Sequence, residues 1–329
     1  MRFIIYGAGG IGGTIGARLF QHGYQVLLIA RGAHHDAIRD NGLTLRAPEE
    51  TLVQPIPVVA HPDEIDFQAD DVVFLTMKSQ HSWNAMLDLR AVAGSAIPII
   101  CCQNGVENER MAIRLFQHVY AMLVFLPANH FEPGVVECNA ISSSSYGILD
   151  TGRYPRGTDD LIVEVAECLE RCSFSVKPDD HAMRWKYKKL LMNLGNSLQA
   201  VGEINDETAD ISRQMHEEAL AVYKAAGIEW ASDDEEKNRR GNLVQMKRIE
   251  GQRRAGGSSW QSLANNKGDI ESDFLNGEIV TLGRLHNIPT PANHVLQVLA
   301  ATAAREGQAP GSIATDEIKK LIQEMSDAR

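Results

Sequence analysis

The residues Gly7-Ala8-Gly9-Gly10-Ile11-Gly12 directly follow the apolar run at residues 2–6, and their spacing is that of a turn made to receive a pyrophosphate. In the pattern G-x-G-x-x-G the first glycine allows a tight turn, the second lets the backbone approach phosphate oxygens, and the third lets the next helix pack closely on the sheet. The helix start then turns unpaired N–H groups and a positive dipole end toward the anion. A second strand ends in Leu28-Ile29-Ala30-Arg31-Gly32. A carboxylate at that point would take the ribose hydroxyls of NAD, whereas an arginine suits the 2′-phosphate of NADP by charge and by bidentate geometry. NADP(H) is therefore the expected cofactor, with an exposed surface charge as the plainer reading of Arg31.

Two further residues stand where strands end. Lys78 follows the apolar run in Leu75-Thr76-Met77-Lys78, and Asn104 follows another in Gln103-Asn104-Gly105. Both should emerge at the carboxyl edge of a parallel sheet, where such sheets bind ligands. Lys78 would meet the adenosine phosphate or ribose, and Asn104 would offer a donor and an acceptor near the nicotinamide. A surface lysine and a turn asparagine are the bland alternatives.

The elements that must position these residues are short apolar runs alternating with amphipathic stretches, the mark of βαβ units. Strands are expected at residues 2–6, 26–30, 72–76, 99–102 and 121–126, and a helix at 11–21. The turn-rich stretch 134–147 should close the sheet with antiparallel strands. From about Asp159 helical periodicity takes over, apart from one short strand near 174–177. The expected fold is thus α/β, a Rossmann-type parallel sheet domain at residues 1–178 followed by an all-α domain at 179–329. The charged stretch 233–257 reads as a solvated helix and then a loop.

At 329 residues two domains are the default. A net charge of −11 opposes attraction to nucleic acid or an anionic membrane. No apolar stretch reaches the roughly 18 to 20 residues that a spanning helix needs. The five cysteines lack CxxC or zinc spacing and read as reduced thiols. With no signal-peptide pattern before the first strand, a cytoplasmic protein is expected. No metal site is expected, because His34 and His35 are adjacent and the other histidines scatter; all are assigned structural or surface roles. The helical half has amphipathic length enough for a homodimer interface.

Taken together, GAGGIG from Gly7, IARG from Ile29, TMK from Thr76, QNGVEN from Gln103, YKKLLMN from Tyr187, SSW from Ser258 and DIESDFLNG from Asp269 resemble the ketopantoate reductases (2-dehydropantoate 2-reductases) over nearly the whole chain. The resemblance implies NADPH-dependent reduction of 2-dehydropantoate to pantoate, with a small-molecule 2-keto acid as the substrate. It implies a lysine general acid four residues before an asparagine, here Lys189 and Asn193, which helical spacing puts on one face. Lys188 is a neighbour pointing about a quarter-turn away. It also implies a glutamate near the reacting centre, Glu271, and a serine for the substrate carboxylate, Ser259, although Ser258 could do the same work. Without the resemblance, the lysine-rich stretch would read as a solvated face. Trp260-Gln261-Ser262-Leu263 departs from the family pattern, as does Gly256 where some members carry asparagine. These departures keep open a different bulky or branched 2-keto acid, and an NADP(H)-binding regulatory protein without catalysis is the rival outside enzymes.

Overall fold

The computed structural model describes residues 1–141, 144–203, 205–251, 256–266 and 268–327. In chain order, β1 (Arg2–Tyr6), α1 (Gly10–Gln21), β2 (Gln25–Ile29), α2 (Gly32–Asn41), β3 (Leu43–Arg46), β4 (Thr51–Gln54), β5 (Val58–Val59), β6 (Asp71–Leu75), α3 (Ser82–Ala93), β7 (Ile99–Cys101), α4 (Glu107–Ala112), β8 (Val119–Met122), β9 (Ala128–Glu132), β10 (Val135–Cys138), β11 (Thr151–Arg153) and α5 (Asp160–Arg171) make up the α/β part. The helical part comprises α6 (Ala182–Asn193), α7 (Gly195–Val201), α8 (Ala209–Ala225), α9 (Asp233–Arg240), α10 (Ser258–Ala264), α11 (Asn276–His286), α12 (Pro291–Glu306) and α13 (Thr315–Asp327).

The main sheet has the strand order β11-β8-β7-β6-β1-β2-β5. All its neighbours run parallel except β11, which is antiparallel to β8. Both faces are buried, so the strands are continuous apolar runs rather than alternating ones. Phe3 and Ile5 of β1 join Leu28, Phe74 and Ile100 in one core, while Ile4 and Tyr6 join Ile29, Val73, Leu75 and Ile99 in the other. Burying a side chain of this size contributes about 1.5–3 kcal/mol, and two such layers clamp β1 at the centre. The order of strands reverses beside β1, between β2 and β6, which is where ligands settle on an open α/β sheet.

The expected closure of this sheet by residues 134–147 is corrected by the structure. β9 and β10 instead belong to a separate four-stranded sheet of order β4-β3-β10-β9, and the closing strand is β11. α1 lies between the two sheets: a Cβ on Gly16 would press on Leu28 at 2.9 Å, and one on Gly13 would meet Val136 of β10 at 2.7 Å. The strand expected near 174–177 is reduced to isolated parallel bridges, Ile148 to Ser175 and Thr151 to Pro178.

Two compact units emerge, and they divide the chain differently from a cut near Pro178. The first holds residues 1–104 and 108–186 together with the stretch that begins at Ser232; the second holds 105–107, 187–231 and the chain after that stretch. α6 therefore starts in the first unit and ends in the second. α9, expected as a solvated helix, anchors on the first unit through Arg239, whose guanidinium forms a two-pronged pair with Asp150 at 2.5 and 2.7 Å while both side chains are buried. Beyond it the backbone pairs with Asn139, Ile141 and Ser145, as Ile141 N–H donates to the Gln245 carbonyl, Lys247 N–H to that of Asn139 and Ser145 N–H to that of Leu243. In the second unit α12 is central, with Ala292, Leu296, Ala300 and Ala303 in a core shared with α7, α8 and α13.

Candidate active site

In the first unit the glycine turn has the shape a pyrophosphate needs. Gly7 adopts φ +109°, and a Cβ there would lie 2.7 Å from the Met77 backbone nitrogen. A Cβ on Gly12 would overlap Thr76 Oγ1 and the Gly7 carbonyl, so only glycine lets α1 approach β1 and β6. Thr76 Oγ1 accounts for that crowding by donating to the Tyr6 and Gly7 carbonyls at 3.0 and 2.7 Å. Gly9 differs: nothing lies within 4 Å of its added Cβ, so its bareness serves no packing. Gly9, the N-cap of α1, has no side chain to cap the helix, and an uncapped helix start suits an anion. Ala8, Gly10 and Ile11 complete this turn.

Arg31 stands at the N-cap of α2, exposed, with extended backbone. Its charge bears on Tyr6, whose phenol burial pushes up to about 12 against the pull of the arginine. Lys78 immediately precedes the short turn Ser79–His81 after β6, with extended backbone and no side-chain capping bond. Asn104 lies in the loop after β7, half-buried. The two loops are tied together, because Asn108 Nδ2 donates to Ser79 Oγ at 2.9 Å, Ser79 Oγ to the Asn104 carbonyl at 3.5 Å, and Gln103 Nε2 to Ser82 Oγ at 3.1 Å. Beside Lys78, both amide atoms of Gln80 are buried without a partner. Deeper in, Lys186 of α6 pairs with Glu109 and reaches the Cys101 carbonyl at the end of β7. Burial pushes the Glu109 carboxyl up against the pull of Lys186.

The second unit carries the remaining residues. Lys189 is half-buried on α6, and Asn193 closes that helix. Ser259 lies in the first turn of α10 at 2% exposure, and Glu271 opens the short turn Glu271–Phe274 at 7%. Asn193 Nδ2 and Ser259 Oγ are buried polar atoms with no partner, as is Ser272 Oγ beside Glu271. Such atoms cost about 1–3 kcal/mol each unless something binds them. α10 is seated against α7, where Gly257 N–H donates to Gln199 Oε1 at 2.7 Å and its Cα leaves room for Asn196. Gly256 is pressed on the indole of Trp260, where a Cβ would come 2.6 Å from Cγ.

A hydrogen-bonded network fixes the end of α6. Asn276 Nδ2 donates to the Leu194 carbonyl and to Asn293 Oδ1, while its Oδ1 accepts from Ser197 at 2.6 Å. Asn293 Nδ2 in turn donates to Glu218, whose carboxylate also accepts the Ala292 and Asn293 backbone N–H groups. Among the described residues no cluster of three or more His, Cys, Asp or Glu is arranged to hold a metal, and no helix is long and apolar enough to cross a membrane.

Residues 3–151 match the family model described as ketopantoate reductase PanE/ApbA, and residues 181–304 match its C-terminal counterpart. The chain belongs to the ketopantoate reductase family. It is accordingly an oxidoreductase. A 2-dehydropantoate 2-reductase of Pyrococcus horikoshii is 27% identical over 320 residues, 95% of this chain and 100% of that one. A ketopantoate reductase of Ralstonia eutropha JMP134 superposes with a TM-score of 0.75 at 26% identity, covering 93% of this chain and 99% of its own. D-mandelate dehydrogenase with NADH and anilino(oxo)acetate shares the fold at a TM-score of 0.78 and 21% identity, covering 93% and 99%.

Within the family's motifs, the sequence reading missed the residues that hold others. Ser79, Ser82 and Asn108 were legible only as neighbours of Lys78 and Asn104, and pairing the ends of two adjacent strands would have found them. Asn276 stands inside the DIESDFLNG motif, but its role depends on Asn293 and Glu218, which no local pattern marks.

Proposed function

We propose that this chain reduces a 2-keto acid, 2-dehydropantoate foremost, to the 2-hydroxy acid with NADPH. The observation that carries the reading is the pair of orphaned buried atoms, Asn193 Nδ2 and Ser259 Oγ, one a donor and one able to donate, suited to the oxygens of a keto acid. The glycine turn fits a dinucleotide, since Gly9 is bare without a packing reason and Gly7 and Gly12 are bare because of close backbone. Arg31, exposed at the N-cap of α2, supports the 2′-phosphate and hence NADPH over NADH.

When bound, the reduced nicotinamide supplies a hydride to the keto carbon. Lys189 Nζ gives a proton to the keto oxygen, which would otherwise become an alkoxide, and such donation contributes about 10²- to 10⁴-fold in rate. Asn193 and Ser259 orient the substrate, Ser259 taking the carboxylate. Ser259 is preferred to Ser258 because its hydroxyl is the buried one left without a partner. Glu271 keeps the lysine in register, Asn104 serves the nicotinamide end of the cofactor, and Lys78 serves its adenosine end.

The Gly256 and Trp260 contact favours a second reading, a 2-keto acid with a bulkier apolar side chain, because an indole face replaces a polar side chain beside Ser259. Initial rates of NADPH oxidation with 2-dehydropantoate, branched and aryl 2-keto acids, and NADH as the control coenzyme, decide between them. The expected result is selective turnover of 2-dehydropantoate with NADPH, lost by about 10²-fold or more in Lys189→Ala. Preference for an aryl acid would move the substrate to the second reading, wild-type turnover in Lys189→Ala would remove the lysine from its role, and NADPH binding without turnover on any acid would make the chain a silent binder.

A further inference from the structure

The glycine turn is held from behind by one imidazole. His34, in the first turn of α2, has Nε2 at 2.7 Å from the Ala8 carbonyl oxygen and Nδ1 at 2.9 Å from the Gly134 backbone nitrogen. A backbone N–H can only donate, so Nδ1 is the acceptor and the ring proton sits on Nε2, donating to Ala8. The ring lies on that of His130 in β9, with centroids 4.1 Å apart. Gly134, at the β9–β10 turn, has φ +77° and is pressed on Ala37 of α2, where a Cβ would come 2.9 Å from that side chain. On its other flank the glycine turn touches the same hairpin, because a Cβ on Gly10 would lie 2.9 Å from the Asn129 nitrogen.

Three segments thus meet at His34: the turn that faces the pyrophosphate, the hairpin behind it, and the helix whose N-cap is Arg31. We infer that His34 is a positioning residue for the dinucleotide, fixing the glycine turn against the start of α2 so that the pyrophosphate site and Arg31 keep one spacing. In this role it acts through the Ala8 carbonyl and through the helix that carries Arg31. The inference rests on the dinucleotide reading of the glycine turn, and it assigns to His34 more than the structural or surface role expected of the histidines.

The test measures NADPH and NADH dissociation constants by nucleotide fluorescence, kcat at saturating NADPH, and thermal stability, in wild type, His34→Leu and His34→Gln. Leucine makes neither bond, whereas the glutamine amide offers one acceptor and one donor at a similar reach. The expected result is affinity weakened about tenfold in His34→Leu, with kcat changed by less than about twofold, and affinity recovered to within about threefold in His34→Gln. Unchanged affinity in His34→Leu would overturn the inference, and so would a parallel fall of affinity, kcat and stability that glutamine does not rescue, since that pattern belongs to a fold residue. Should His34→Leu fail to fold, His34→Asn, which reaches only one of the two partners, replaces it with the same expectation. Wild type that binds neither nucleotide would instead overturn the dinucleotide reading, and this inference with it.

Discussion

A buried polar atom without a partner is unfavourable for folding and useful for binding, and Ser259 separates the two effects. Removing its hydroxyl in Ser259→Ala should raise the KM for the keto acid about tenfold while leaving unfolding free energy unchanged or slightly higher, because no native hydrogen bond is lost. Steady-state kinetics and urea unfolding on the same preparation check both halves. Arg31 is the converse, an exposed cation proposed to act through its ligand. Arg31→Ala should raise the KM for NADPH by about 10- to 100-fold and leave that for NADH nearly unchanged; equal effects on both would remove the 2′-phosphate argument. These two positions were legible for different reasons. Arg31 is read from its place at the end of a strand, a local fact, whereas Ser259 follows only from the family motif, because a serine hydroxyl carries no sign of being buried.

Among elements, those set by local sequence were legible and those set by distant partners were not. β1, β2, β6 and β7 are apolar runs bounded by turns, and their expected limits agree with the structure to within a residue. β3, β4 and β11 are strands of three or four residues, LTLR, TLVQ and TGR, too short and too polar to stand out as periodic. The closing of the main sheet was therefore assigned to the wrong strands. α6 shows the same limit in its charges. Its lysine-rich sequence reads as solvated, yet Lys186 is 3% exposed in its pair with the fully buried Glu109. Breaking one half of such a pair strands a buried charge, so Lys186→Met should destabilise the protein by about 3–5 kcal/mol. Replacing both, Lys186→Met with Glu109→Leu, should recover most of that loss in urea unfolding, and a double variant as weak as the single one would contradict the account.

At the scale of the molecule the division into a sheet half and a helical half holds as composition, but the chain does not respect it in order. The stretch beginning at Ser232 looked solvated because Asp233 to Arg240 is almost wholly charged. It belongs to the first unit through Arg239 and Asp150, a pairing that no window of sequence contains. Arg239→Met should leave Asp150 buried with an unmatched charge, at about 3 kcal/mol or more, and should make the 232–251 stretch the first site of cleavage in limited proteolysis. A cleavage pattern identical to wild type would show that the arginine is not what holds it. The returning stretch also bears on the order of events during synthesis. The first unit lacks Arg239 and the backbone partners Gln245 and Lys247 until the ribosome has made all of α6, α7 and α8, so the sheet half cannot finish folding as a leading domain while the helical half is still to come. A nascent chain halted near residue 186 should hold that half incomplete.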